Sequence, residues 1–535
     1  MHLFGILIIT LIGNVYQSAP SLSASTQRIV FALLLTSSFY FLLLNNFWGL
    51  GALILQTFFA FAFLSAKQNI KNKSEILFYN RGEILFYLIS AIGLSIFLAL
   101  RNFEPGRFLT ILSILGLNTV ASVRASSEGL LTVKTTLIGP IVVTFRSFVG
   151  LSSQLGGLFL FLGSALGKKQ VSSKKSGGIL FGAILAIILV VIFLVLFSGA
   201  DPIFGKYVFE FLSSLPPWGI NPSRLLAWLQ ILFVFGFFGA LLSSFKLSEN
   251  EFSTSVASSF KFPVTIAVCA VSVVTALFLI VQAQYLFAGQ ELLQELGISY
   301  SEYTRRGFAQ LVVVSVISLV LLWFLIRKPQ GEKDNPVIRL LSYTFLFEVL
   351  LILASAFRRV YLYQAEHGFT QARLLGIVFA IWLGGILFIF LANLMGRLKS
   401  QTMPFAGLVN TVFTIFILNF INIDHLVGAV KQPNLGYRID HPYIVRALSE
   451  DAWIGWKKTL EFYEVKCLPD SGLVMINLSA KYSKLQKQRE KQKGLKALGA
   501  WNLSKQKAFD FLDKNLGRIN KVKSCYQIEP PSPIL

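Results

Sequence analysis

The sequence predicts an all-α membrane protein, a bundle of about 12 transmembrane helices followed by a small, mostly helical C-terminal domain. Three observations predict it. About a dozen apolar stretches fill residues 1 to 422, and most approach the ~20 residues that a helix needs to cross a hydrocarbon core. Apolar residues make up 54% of the chain and charged residues 14%, which departs from the mix of a soluble domain. Basic residues are dense in alternate loops, the pattern that orients membrane helices.

The expected spans are 3–17, 28–44, 47–66, 82–100, 108–122, 178–198, 223–245, 262–286, 307–327, 338–357, 373–395 and 404–422. Each is expected to be helical, because an unpartnered backbone group in lipid costs several kcal/mol. Met1–Val15 carries only His2 near its start and no cleavage-site pattern, so it reads as a first helix rather than a signal peptide. The glycines and Ser152-Ser153-Gln154 within 147–166 suit a surface-lying or re-entrant segment. The chain therefore divides into N-terminal helices (1–122), a basic loop (123–177), a transmembrane core (178–422) and a polar basic tail (423–535). Helical periodicity in the tail is clearest over Ala480–Trp501 and Ser504–Leu516, after a stretch read as a loop.

One set of alternate loops, containing Lys67, Lys71, Lys73 and the cluster Lys168, Lys169, Lys174 and Lys175, holds roughly twice as many basic residues as the other. That set is expected to be cytoplasmic, which puts both termini outside. The net charge of +22 thus reflects orientation and contact with anionic lipid headgroups, not a nucleic-acid partner. Of three cysteines, Cys269 lies in a span, while Cys467 and Cys525 lie in the tail and can pair in an oxidising compartment.

Signatures of soluble enzymes are missing. The segment Gly163–Lys168 lacks phosphate-loop spacing, with Lys169 where Ser or Thr is needed. No cofactor is implied and no catalytic residue is assigned. Glu348 stands out within a span. Helical spacing aligns Thr344, Glu348, Ile352, Ser355 and Arg359 on one stripe, and a carboxylate in the bilayer is by default a pathway or relay residue. The bland alternative is a neutral Glu348 bonded to a neighbouring helix. Asn410, Thr411, Thr414, Asn419 and Asn422, like Gln282 and Tyr285, suit hydrogen bonds between helices. Three histidines follow an acid, in Glu366-His367, Asp424-His425 and Asp440-His441. His425 and His441 are conceivable metal ligands, but the spacing is not diagnostic, and Asp before His also suits a helix cap. Asp201 before Pro202 suits a cap as well.

Several stretches resemble a family of bacterial multipass membrane proteins, domain of unknown function 4173. They are Phe197-Ser-Gly-Ala-Asp-Pro-Ile-Phe204, Val281-Gln-Ala-Gln-Tyr-Leu-Phe-Ala-Gly289 with Ile298-Ser-Tyr-Ser-Glu-Tyr-Thr-Arg-Arg-Gly-Phe308, Ala354–Tyr363 with Gly368–Arg373, Asn419–Asp424, Ile439–Asp451 and Ala500–Ser504. The resemblance implies a bacterial cytoplasmic membrane location. It directs attention to Asp201, Gln282, Tyr285, Tyr303, Arg305, Arg359, Tyr363, Arg373, Asp424, Asp440 and Trp501. Several of these fall at one membrane face in the expected topology, where they would form a polar cluster.

Three functions fit. The leading one is a non-enzymatic membrane protein that moves a small solute or ion, or that senses or scaffolds at the outer face. The second is a secondary transporter with Glu348 as its coupling carboxylate. The third is a lipid-modifying enzyme, for which Asp424, His425, Asp440 and His441 should converge.

Overall fold

The computed structural model describes residues 34, 38, 48–68, 76–126, 174–214, 255–286, 307–326, 335–400, 402–435, 438–492 and 494–525. The expected spans 3–17 and 223–245, nearly all of 28–44, and the segment 147–166 lie outside these residues.

The described chain is almost entirely helical. Its first helices are α1 (Leu50–Gln68), α2 (Ile76–Leu100) and α3 (Glu104–Ser126). They are followed by α4 (Lys174–Ala200), α5 (Pro202–Ser214), α6 (Ser255–Leu286) and α7 (Phe308–Ile326). Then come α8 (Pro336–His367), α9 (Gln371–Leu394) and α10 (Met403–Ile421). Among the described residues, six helices are long and apolar enough to cross a bilayer, with candidate spans Gly82–Leu100, Phe262–Ala283, Phe308–Ile326, Pro336–Tyr361, Gln371–Leu394 and Met403–Val430. The chain is thus multi-pass. The cores of these helices sit where hydropathy puts them, while α2, α6 and α8 run past the expected bounds. Thus α8 extends to His367, well past the expected end at 357.

The tail departs from expectation at its start. In place of a loop, the chain forms a three-residue helix α11 (Ile423–His425), a π-turn over Leu426–Val430 and a two-stranded pair, β1 (Asn434–Leu435) with β2 (Arg438–Ile439). The helices α12 (His441–Ala447) and α13 (Trp453–Val465) follow. The seven-residue α12, capped by Asp440, is too short to carry periodicity, and the Glu450–Ala452 turn leads into α13. The expected helical stretches become α14 (Ser471–Lys491), α15 (Leu495–Ala500), α16 (Leu503–Lys514) and α17 (Leu516–Cys525).

The chain forms two compact units. One comprises Met1–Thr136, His367–Leu375 and Thr411–Leu535, and so joins the N-terminal helices with the tail; the other comprises Leu137–Glu366 and Gly376–Asn410.

The second unit is organised around α4 and α6, which run in the same direction. Gly182 on α4 faces Pro263 and Ile266, and Phe197 further along stacks flat on Phe278, with ring centroids 4.0 Å apart. Phe204 closes the cluster edge-on, 5.3 Å from Phe278. The helix α8 runs the same way, because Ser272 of α6 meets Glu348 and the end of α4 meets Arg359. The helix α7 runs oppositely, since Gly307 just before it packs on Ala200.

In the first unit, α2 and α3 form a hairpin turned by Arg101–Phe103, with α1 against α2. A reciprocal amide pair links α1 to α3 inside it, Gln56 and Asn118 bonding each other at 2.9 Å in both directions.

Candidate functional site

The second unit holds the most unusual polar constellation. Asp201 ends the α4 backbone and begins α5, as the Asp-Pro sequence suggests. Its Oδ1 accepts from the amides of Ile203 and Phe204 at 3.0 and 3.1 Å, which satisfies orphan donors of the first turn. Its other oxygen receives the Arg359 guanidinium from α8 at 2.9 Å, and both side chains are 0% exposed. The second Arg359 nitrogen donates to the Ala200 carbonyl at 2.7 Å, one of the carbonyls left open at the end of α4. Gly307 makes room for this arrangement. It adopts φ +92°, and a Cβ there would collide with the Ala200 carbonyl oxygen and lie 2.8 Å from Arg359 Nη1.

Gln282 belongs to the same level. It lies one turn beyond Phe278, as Asp201 lies one turn beyond Phe197, and those two rings stack. Gln282 is buried, and neither atom of its amide has a partner among the described residues.

Roughly three turns deeper, Glu348 of α8 accepts the Ser272 hydroxyl of α6, with Ser272 Oγ 2.8 and 2.9 Å from the two carboxylate oxygens. The expected stripe on α8 is present from Glu348 through Ile352 and Ser355 to Arg359, all buried. Thr344 is off it: that residue is exposed and turns its hydroxyl back to Leu340, and Phe345 takes the buried position. The 3.6-residue repeat rotates the stripe by that point.

Between Glu348 and the Asp201–Arg359 pair lie further polar side chains that sequence reading passed over. Ser198, Thr275, Ser318 and Ser355 are buried hydroxyls with no partner among the described residues. Helical Ser and Thr ordinarily bond a carbonyl one turn back, as Ser315 does to Leu311 and Ser342 to Ile338. An unmet buried hydroxyl costs about 1–3 kcal/mol, so several in one unit call for an explanation. No local sequence signal separates these four from the self-bonded ones.

Of the other predicted residues, Asp424, His425, Arg373, Asp440, His441 and Trp501 fall into the first unit and serve as fasteners. Asp424 accepts from Gln371 Nε2 at 2.5 Å and from the Ser449 amide at 2.7 Å. Arg373 donates to the Gly368 carbonyl at 2.7 Å, near the end of α8. Asp440 caps α12 through the Tyr443 amide at 2.9 Å. The His441 ring sits 3.0 Å from the Thr459 hydroxyl and stacks on Phe462; burial pushes its pKa down. His425 closes α11, where its amide is capped by Asn422. Among the described residues no group of three or more His, Cys, Asp or Glu is placed to hold a metal. The Trp501 carbonyl accepts the Leu50 amide at 2.9 Å at the start of α1. Of the residues expected to cluster at one face, Asp201, Gln282 and Arg359 belong to one unit and Asp424, Arg373, Asp440 and Trp501 to the other.

Beside Asp424 is a network the sequence did not single out. Asp451 accepts the amides of Asn102 and Phe103 at 2.9 and 3.0 Å and the Ser504 hydroxyl, while Glu450 accepts the Asn102 side-chain amide. Burial pushes the Asp451 pKa up against these bonds. Asn502 donates to the carbonyls of Leu98 at 3.0 Å and Arg101 at 2.7 Å, and its oxygen caps α16 through the Lys505 amide.

Cys467 is disulfide-bonded and Cys269 is free; the side chain of the expected partner Cys525 lies outside the described residues. So do Tyr303 and Arg305, and the side chains of Tyr285 and Tyr363.

The sequence matches the family described as domain of unknown function DUF4153 over residues 88–454. This family carries a different number from the 4173 suggested by the motif resemblance, though it is of the same general kind. No curated protein and no solved structure matches the chain.

Proposed function

The chain belongs to the DUF4153 family, and from that premise we propose that this multi-pass membrane protein moves a small cation, in the simplest case a proton, with Glu348 as the intramembrane carboxylate. The location proposed is the cytoplasmic membrane of a bacterium, in keeping with the motif resemblance and the basic loops. A bundle of about twelve spans is part of the reading. Its support is that α4 and α6 run the same way, so the chain between them has to return, and the apolar stretch 223–245 is long enough to do so.

One observation carries the proposal: a buried carboxylate in mid-span, held by the Ser272 hydroxyl, from which hydroxyls and the Gln282 amide that have no partner among the described residues lead toward the buried Asp201–Arg359 pair. Groups that both donate and accept can relay a proton, and an ionisable side chain within a span marks such routes. A carboxylate that takes a proton on one side of its cycle and releases it on the other needs no metal ligand or nucleophile. Arg359, fixed by Asp201 and the Ala200 carbonyl, puts a positive charge at the end of the track and would discourage passage of larger cations.

The test is flux. Full-length protein is reconstituted in vesicles containing a pH-sensitive dye, and a membrane potential is imposed. Wild type is expected to acidify the lumen faster than protein-free vesicles, and Glu348→Gln to return the rate to that background while keeping the melting temperature. Equal rates for wild type and protein-free vesicles, or for E348Q and wild type, would refute the reading. A second reading, sensing or scaffolding at the outer face, is favoured by the network that fastens the tail to the α2–α3 turn; it predicts no flux and a phenotype that depends on Asn502.

A further inference from the structure

The α2–α3 turn also gathers cations in excess of the carboxylates that could neutralise them. Arg107, on the first turns of α3, lies over the Trp48 ring at 4.3 Å and bonds Asn102 at 2.7 Å. The turn directly follows the candidate span ending at Leu100, so this Trp–Arg pair sits where a bilayer surface meets water, the level such residues favour. Lys505 is brought to the same place by Asn502, which holds the start of α16 on the carbonyls of Leu98 and Arg101. Half-buried, the Lys505 ammonium makes no hydrogen bond or ion pair among the described residues. Its electrostatic neighbours are Glu450 and Glu104, which attract it, and Arg107 and Lys484, which repel it. Lys481 also faces Glu450, and donates to the Leu448 carbonyl at 2.9 Å.

Three carboxylates, Glu104, Glu450 and Asp451, face the four cations Arg107, Lys481, Lys484 and Lys505. Glu450 is engaged by Asn102, and Asp451 by two amides and Ser504. Glu104 is mostly exposed and meets Arg107 only at 3.7 Å. Burial lowers the pKa of Arg107, Lys481 and Lys505 alike, against the pull of the nearby carboxylates. Half-buried cations of one sign call for an anion with several acceptor oxygens, and the N-terminus of the twelve-residue α16 adds favourable dipole.

We propose that Arg107 and Lys505, backed by Lys484, bind the phosphate of an anionic lipid headgroup at the membrane surface. The ligand chemistry is a phosphate ester anion, and the lipid is its source because the site adjoins the end of a span. This inference is independent of the proton-movement reading, which concerns the other unit.

The full chain is placed in nanodiscs of phosphatidylcholine, with or without phosphatidylglycerol, and its melting temperature and its retained lipid by native mass spectrometry are recorded. Phosphatidylglycerol is expected to raise the melting temperature and to be retained at one molecule above the phosphatidylcholine background. Arg107→Gln and Lys505→Gln are expected to lose both effects, and Lys505→Arg to keep them. If K505Q does not fold, retention by wild type and by K505R still decides the matter. Indifference of wild type to phosphatidylglycerol, or an unchanged lipid dependence in K505Q, would overturn the site. A matching shift from inorganic phosphate in phosphatidylcholine discs alone would uphold the phosphate chemistry and overturn the lipid source.

Discussion

Arg359 and Asp201 illustrate how a charge survives in an apolar bundle. The guanidinium has two acceptors, the Asp201 carboxylate and the Ala200 carbonyl, and the carboxylate has three donors. Removing one member of such a pair leaves the other charge buried and alone, at a cost of about 3–5 kcal/mol. Asn at position 201 retains the cap for α5, since Asn caps as well as Asp, so Asp201→Asn isolates the ionic contribution. We expect D201N and Arg359→Met each to destabilise by about that amount, and the double variant by clearly less than their sum. Chemical unfolding in detergent micelles measures this, and additive effects would show that the two side chains do not act as a pair. The sequence placed both residues at one face, as neighbours of span ends. It did not pair them, because they are separated along the chain by several helices.

At the scale of elements, the tail illustrates how capping replaces periodicity. Asn502 closes α2 and opens α16 with one side chain, and Asp440 and His441 anchor the short α12 against α13. His441 is held neutral: burial lowers its pKa below the ordinary ~6.5, while Asp440 and Asp470 pull the other way. A base whose folded pKa is depressed stabilises fully above its unfolded value, and that contribution is lost as pH falls through the folded one. Hydrogen exchange in the amides of α12 and α13 should therefore accelerate from about pH 6.5 downward, after correction for intrinsic rates. Histidine-to-glutamine substitution, His441→Gln, keeps a polar partner for Thr459 and should flatten that profile; an equally steep profile in H441Q would assign the titration elsewhere. These short helices were read as a loop because a seven-residue helix shows fewer than two full turns of pattern.

At the scale of the whole molecule, orientation follows from charge and from sulfur chemistry together. The proposed orientation points the basic loops inward, by the positive-inside pattern, and Cys467 is disulfide-bonded, a state that persists in oxidising compartments. In intact cells with a permeabilised outer envelope, a membrane-impermeant maleimide should label Cys467 only after an impermeant reductant is added. Lys168→Cys, in the basic cluster of 168–175, should stay unlabelled throughout. Labelling of position 168 from outside would invert the topology.

What the sequence by itself determined is the class of molecule and the position of the six candidate spans found among the described residues. A hydrocarbon core demands about 20 apolar residues in a row, a local property that composition displays directly, and Gly82–Leu100 or Phe308–Ile326 can be read without any partner. An intramembrane carboxylate is equally plain, because Glu348 interrupts such a run. Only the tertiary structure decided which polar groups meet: Ser272 with Glu348, Arg359 with Asp201, Asn102 with Asp451, and which hydroxyls are left without a partner. Lipid tolerates helices in many mutual registers, whereas a hydrogen bond is satisfied only within about 3 Å. The chemistry therefore rests on distances between residues far apart in the chain, which no local pattern encodes.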